Sequence, residues 1–125
     1  MSLAAIGIIA RNPALSVQFY GLLGVDFKAV GSPDHLEGAT PSGVRILLDS
    51  VDLMMRIDPT REVPGGSGVS LCFLQESPAA VNELYEKVLA AGFQGVKEPW
   101  NAFWGQRYAS LQDPDHNQVD LFAPL

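Results

Sequence analysis

The sequence is poor in residues that hold metals or polyanions. Its 125 residues include one cysteine and two histidines. A single cysteine excludes an intramolecular disulfide and a cysteine metal cluster. Cys72 lies in the apolar run Val69-Ser70-Leu71-Cys72-Phe73-Leu74, where a small buried hydrophobe is the expected role. Cations are also scarce: eight Lys and Arg stand against fourteen Asp and Glu, for a net charge of −6. They are scattered from Arg11 to Arg107 and form no basic patch, so neither nucleic acid nor an anionic membrane is an expected partner. No long hydrophobic run exists either; the longest, Leu3 to Ala10, is too short to span a bilayer. The first residues carry no basic segment of the secretory type. The expected location is a reducing cytoplasm.

What is present suits one domain with a substantial core. The hydrophobic fraction is 47% and the charged fraction 18%, which excludes a disordered chain. Two stretches echo each other. Ile6 to Ala10 is followed by Asn12-Pro13 and an apolar-periodic run to Gly24; Val69 to Phe73 is followed by Ser77-Pro78 and a similar run to Gly92. Each reads as a strand, an N-cap, a proline at the first helical position and a helix closed by glycine. The second helix carries the stripe Val81, Leu84, Tyr85, Val88 and Leu89; the first offers Leu15, Phe19 and Leu22, flanked by Val17 and Tyr20.

β-rich sequence follows both helices, ending in Asp52 to Ile57 in one copy and Gln118 to Phe122 in the other. The prolines at 13 and 78 lie 65 residues apart, and the triplets Val51-Asp52-Leu53 and Val119-Asp120-Leu121 lie 68 apart. This arithmetic predicts an α+β chain of two tandem βαβββ modules, about 3–57 and 68–125, within a single domain spanning 1–125. A turn-rich linker, 58–67, joins them, and a second turn, Asp113 to Asn117, precedes the last strand.

Strand alternation assigns faces. Ile6 and Ile8, and Val69, Leu71 and Phe73, belong under the helices, which leaves Ala5, Gly7, Ser70 and Cys72 on the other face. Small residues there leave room for a cavity. The same rule puts Asp52, Met54 and Arg56 in one copy, and Gln118, Asp120 and Phe122 in the other, on the cavity side. Asp52 is equally explained by a turn or by pairing with Arg45 or Arg56.

The segment Asn12-Pro-Ala-Leu-Ser-Val-Gln-Phe-Tyr-Gly-Leu-Leu-Gly24 resembles the first-helix signature of the vicinal oxygen chelate superfamily. The segment Trp104-Gly-Gln-Arg-Tyr-Ala-Ser-Leu-Gln-Asp-Pro-Asp-His-Asn-Gln-Val-Asp-Leu121 resembles its C-terminal signature. That superfamily includes glyoxalase I, bleomycin-resistance proteins and extradiol dioxygenases. The resemblance implies a curved eight-stranded sheet around a cleft with helices outside, and a homodimer. Metal-dependent members take a His near the start of each module and a Glu on each module's last strand. Counted from Asn12 and Ser77, the His positions fall at Ala5 and Ser70, and the Glu positions at Asp52 and Asp120. No histidine lies within two residues of either start. His116 stands where the family's turn carries glycine, and His35 follows a turn.

No resident cofactor is therefore expected; if a divalent metal binds at all, Asp52 and Asp120 are its candidate ligands. The expected ligand wall is Trp100, Phe103, Trp104 and Tyr108, with Met54, Arg107 and Ser70 as further contacts. These rings either face a ligand or pack a core or dimer interface. Arg107 either pairs with an acidic neighbour or holds a carboxylate ligand. The leading expectation is a protein that binds or sequesters a small aromatic or cationic organic molecule by stacking and cation–π contact. The alternative is a divalent-metal-dependent lyase, isomerase or dioxygenase. A third reading makes Asp120 a general base, and the candidate catalytic residue, without metal.

Overall fold

A computed structural model of the chain describes residues 1–63, 65–66 and 68–125. The chain divides into two compact units, Met1–Pro64 and Gly65–Leu125. The division falls inside the expected linker, of which Pro64 and Ser67 lie outside the described residues.

The first unit runs β1 (Ala5–Ala10), α1 (Pro13–Leu22), β2 (Asp26–Ala29), β3 (His35–Ala39), β4 (Arg45–Ser50) and α2 (Val51–Ile57). The second runs β5 (Ser70–Leu74), α3 (Pro78–Ala90), β6 (Gln94–Ala102), β7 (Gln106–Gln112) and β8 (Gln118–Pro124). Each unit forms its own four-stranded sheet, ordered β1-β4-β3-β2 and β5-β8-β7-β6. In both, the first and last strands pair in parallel and the others are antiparallel. The duplicated α+β plan read from the repeat is the observed one.

The caps explain where the two long helices begin. The Asn12 side chain accepts from the Leu15 amide and the Ser77 hydroxyl from the Ala80 amide, each followed by proline in the first turn. Gly24 and Gly92, at φ +91° and +95°, end the helices in the left-handed region that glycine enters freely. Helix α3 buries Val81, Tyr85 and Val88, as its stripe predicts. Helix α1 buries Phe19 of its expected stripe together with Ser16 and the flanking Tyr20, while Leu15 faces solvent. Under α1 lie Ile8, Ala10, Ile46 and Leu48; under α3 lie Leu71, Ala109, Leu111, Val119 and Leu121. Burying each Ile, Leu or Val of this set is worth about 1.5–3 kcal/mol.

The segment 52–57 is not a strand. Ser50 ends β4 in extended backbone (φ −68°, ψ 153°), and its hydroxyl accepts from the Leu53 amide at 3.0 Å. That cap starts helix α2, with Asp52 in its first turn and Arg56 in its last, both favourable to the helix dipole. Arg56 also pairs with Asp34 at 2.9 Å. The match between Val51-Asp52-Leu53 and Val119-Asp120-Leu121 is therefore a coincidence of sequence. Strand pairing gives the true equivalents. Gly7 lies opposite Leu47 in the parallel pair of the first unit, and Cys72 lies opposite Asp120 in that of the second.

Candidate functional site

In the second sheet, α3 covers one face, and no helix of this unit covers the other, called its open face below. Cross-strand partners share a face. One row of the open face reads Cys72, Asp120, Ser110 and Lys97; the next reads Leu74, Phe122, Tyr108 and Trp100. Ser70 and Gln118 open the same face at the other end of β5 and β8.

At its polar end, Asp120 is buried beneath three donors. The Tyr108 hydroxyl donates to Oδ2 at 2.6 Å, Gln118 Nε2 donates to Oδ1 at 3.1 Å, and the Cys72 thiol reaches Oδ2 at 3.9 Å. Burial, then the hydrogen bonds to Asp120 and Cys72, push the Tyr108 phenol far above its ordinary value. Tyr108 therefore stays protonated at any physiological pH and acts as a donor. Cys72 is exposed, where the sequence predicted burial, because the alternation of β5 sends Leu71 and Phe73 inward and Cys72 outward.

Beside this cluster runs a chain of rings meeting mostly edge to face. Phe122 stacks on Tyr108 with centroids 6.4 Å apart; Tyr108 meets Trp104 at 5.2 Å; Trp104 meets both Trp100 at 5.5 Å and Phe103 at 5.0 Å. Trp100 belongs to strand β6 despite the neighbouring Pro99. β6 is an edge strand with two register shifts, so a proline without an amide hydrogen is tolerated in it. Phe103 and Trp104 occupy the turn after it, where the Trp104 indole donates to Gln106 Oε1 at 2.8 Å. They are 92% and 47% exposed, so the second unit leaves these rings largely uncovered. The Lys97 ammonium sits over the Trp100 ring, 4.1 Å from its centroid.

The other expected contacts lie elsewhere. Arg107 alternates with Tyr108 and points to the helix face, donating to Asn82 of α3 at 2.9 Å and to Asn101 at 3.1 Å. Met54 and Asp52 sit on helix α2 of the first unit, not on a strand lining a cavity. The Met54 sulfur takes a contact from Arg61 at 3.6 Å, and Asp52 is exposed. His116 adopts φ +65°, the left-handed turn conformation, as its place in the Asp113–Asn117 turn implies.

The metal implied by the family resemblance fails a donor test. The pairing moves the first unit's last-strand position from Asp52 to Leu47, so the matched positions carry Ala5, Leu47, Ser70 and Asp120. Two are hydrocarbon, one is a hydroxyl, and the carboxylate already accepts from Tyr108 and Gln118. Such a set does not suit a divalent transition metal.

One cluster escaped the sequence reading. On the open face of the first sheet, His35 Nδ1 lies 2.5 Å from Asp49 Oδ1 and Nε2 lies 3.0 Å from Glu37 Oε2; Arg45 pairs with Glu37 at 2.5 Å. Carboxylates only accept, so both contacts are made only when both ring nitrogens carry protons. The hydrogen bonds to Asp49 and then Glu37 accordingly raise the His35 pKa above 6.5. The sign follows from linkage. This stabilisation is fully present below about pH 6.5, the unfolded value, and is lost as pH rises through the higher folded value. Melting temperature should fall over that window in the wild type. His35→Gln should remove that component of the slope; an unchanged slope would refute the assignment.

The comparisons agree with this architecture. The profile of the Glyoxalase/Bleomycin resistance protein/Dioxygenase superfamily matches residues 2–121. A family enzyme from Burkholderia phytofirmans superposes with a TM-score of 0.85 at 22% identity, covering 100% of both chains. A glyoxalase-related enzyme from Fulvimarina pelagi gives 0.85 at 18% identity, covering 98% of this chain and 87% of its own. An Agrobacterium tumefaciens protein solved by NMR gives 0.78 at 27% identity, covering 100% and 98%. A sequence comparison with curated proteins found no match. No helix among the described residues is long and apolar enough to cross a membrane. The chain belongs to the glyoxalase/bleomycin resistance protein/dioxygenase superfamily.

Proposed function

We propose that the protein binds or sequesters a small organic molecule through an aromatic wall on the face of β6, β7 and β8 opposite α3. The observation that supports this is the continuous ring array Phe122–Tyr108–Trp104–Trp100, extended by the exposed Phe103, beside a buried carboxylate held by Tyr108. Edge-to-face packing is a favoured ring geometry, and Phe103 and Trp104 keep exposed surface for a further ring. Asp120 serves this wall by fixing the Tyr108 hydroxyl. A homodimer is the proposed working form, to be checked by sedimentation.

Tryptophan fluorescence tests the reading. Planar aromatic compounds should quench it saturably. One aromatic contact is worth about 0.5–1.5 kcal/mol, so Trp104→Ala should weaken binding about two- to tenfold. A wild-type titration without saturation, or a Trp104→Ala affinity equal to wild type, would overturn it.

A further inference from the structure

We infer that Lys97 sets the charge selectivity of this wall, making it a site for planar aromatic anions such as aryl carboxylates. The inference rests on the aromatic-wall reading and adds the sign of the ligand. Lys97 reaches this face because the register shifts on either side of it bring Lys97 opposite Ser110 and Trp100 opposite Tyr108. Its ammonium lies 4.1 Å from the Trp100 centroid, so an organic cation would have to displace it to stack on that face of Trp100. Among the described residues Lys97 has no carboxylate partner, whereas Arg45 and Arg56 are paired with Glu37 and Asp34. Arg107 is turned to the helix face. The negative charge in the same cross-strand row is Asp120, which is 4% exposed and lies beneath the Tyr108 and Gln118 donors. The ring array therefore offers an incoming molecule an accessible cation and an already engaged carboxylate. An aromatic ring against Trp104 with its own carboxylate at Lys97 satisfies both.

Three matched probes decide it: 2-naphthoate, 2-naphthamide and 2-naphthylmethylammonium, titrated by tryptophan fluorescence. Naphthoate should bind about tenfold more tightly than naphthamide, with the ammonium compound weakest, and its affinity should fall as potassium chloride rises from about 0.02 to about 0.5 M. Lys97→Met keeps the aliphatic stem. It should reduce naphthoate to the naphthamide level, change naphthamide less than about twofold and lower the melting temperature by no more than about 5 °C, the loss of one exposed cation–π contact. Lys97→Arg should restore naphthoate binding. If naphthamide or the ammonium compound binds as well as naphthoate, or if Lys97→Met leaves naphthoate unchanged, the charge assignment falls while the aromatic wall stands. If none of the three quenches, both fall together.

Discussion

Replacing Asp113 with alanine is expected to lower unfolding free energy by about 2–5 kcal/mol, enough to unfold much of a marginally stable domain. Asp113 is 3% exposed and organises the turn before β8. Its Oδ1 accepts from the Asp115 and Asn117 amides, both at 2.9 Å, and its Oδ2 accepts from the Asn117 side-chain amide at 2.9 Å. The Asp113 amide in turn donates to the Asn117 carbonyl at 2.9 Å, closing the loop. Alanine leaves two backbone donors without their acceptor, and a buried unsatisfied donor costs about 1–3 kcal/mol. Asparagine should be milder, since it keeps one oxygen for the amides but sets an NH2 group against the Asn117 side chain. Urea unfolding of both variants tests this; an alanine variant within about 1 kcal/mol of wild type would refute it.

Gly38→Ala should be clearly destabilising. A Cβ at Gly38 would lie 2.4 Å from Val25 Cγ1 and 2.8 Å from Phe27 Cε1, both packed beneath α1. Gly38 carries no left-handed backbone, so the effect is one of volume alone. Replacing glycine by alanine at a compatible position gains about 0.4–1 kcal/mol from the unfolded state. Overpacking costs about 1–3 kcal/mol and wins here. Gly7 is the control: it is exposed on β1, with open space where a Cβ would lie. Gly7→Ala should be neutral or slightly stabilising, and thermal melts of the pair separate the two effects. Equal melting temperatures would refute the packing argument.

Local chemistry made much of this fold legible. Asn12-Pro13 and Ser77-Pro78 announce two helices, and the alternation of Val119 to Phe122 sorts the faces of β8 correctly. The failure at Val51-Asp52-Leu53 came from trusting a triplet over the Ser50 cap in front of it, whose hydroxyl turns good helix formers such as Leu53 and Met54 into α2. Arg107 was readable: it is adjacent to Tyr108 in one strand, so the two must point to opposite faces. His35 was not readable. Its partner Glu37 follows the period of two, but Asp49 reaches it only through the pairing of β3 with β4, which depends on register across a turn. Lys97 over Trp100 was hidden for a similar reason, since three-residue spacing puts two side chains on one strand face only where the register shifts.

The strand order has a consequence for biosynthesis. In each unit the strand made last, β4 or β8, is inserted between strands made earlier, and it alone joins the first strand to the rest. While a unit is being translated, β1 or β5 therefore waits with both edges unpaired and its apolar face covered only by the helix that follows. Closing that parallel pair spans nearly the whole module, the kind of distant contact that slows folding. The first unit can zip shut while the second is still being made. The repeat thus divides one long search into two shorter ones taken in turn, and each nascent half passes through a brief interval in which its bare strands are open to chaperones or to mispairing.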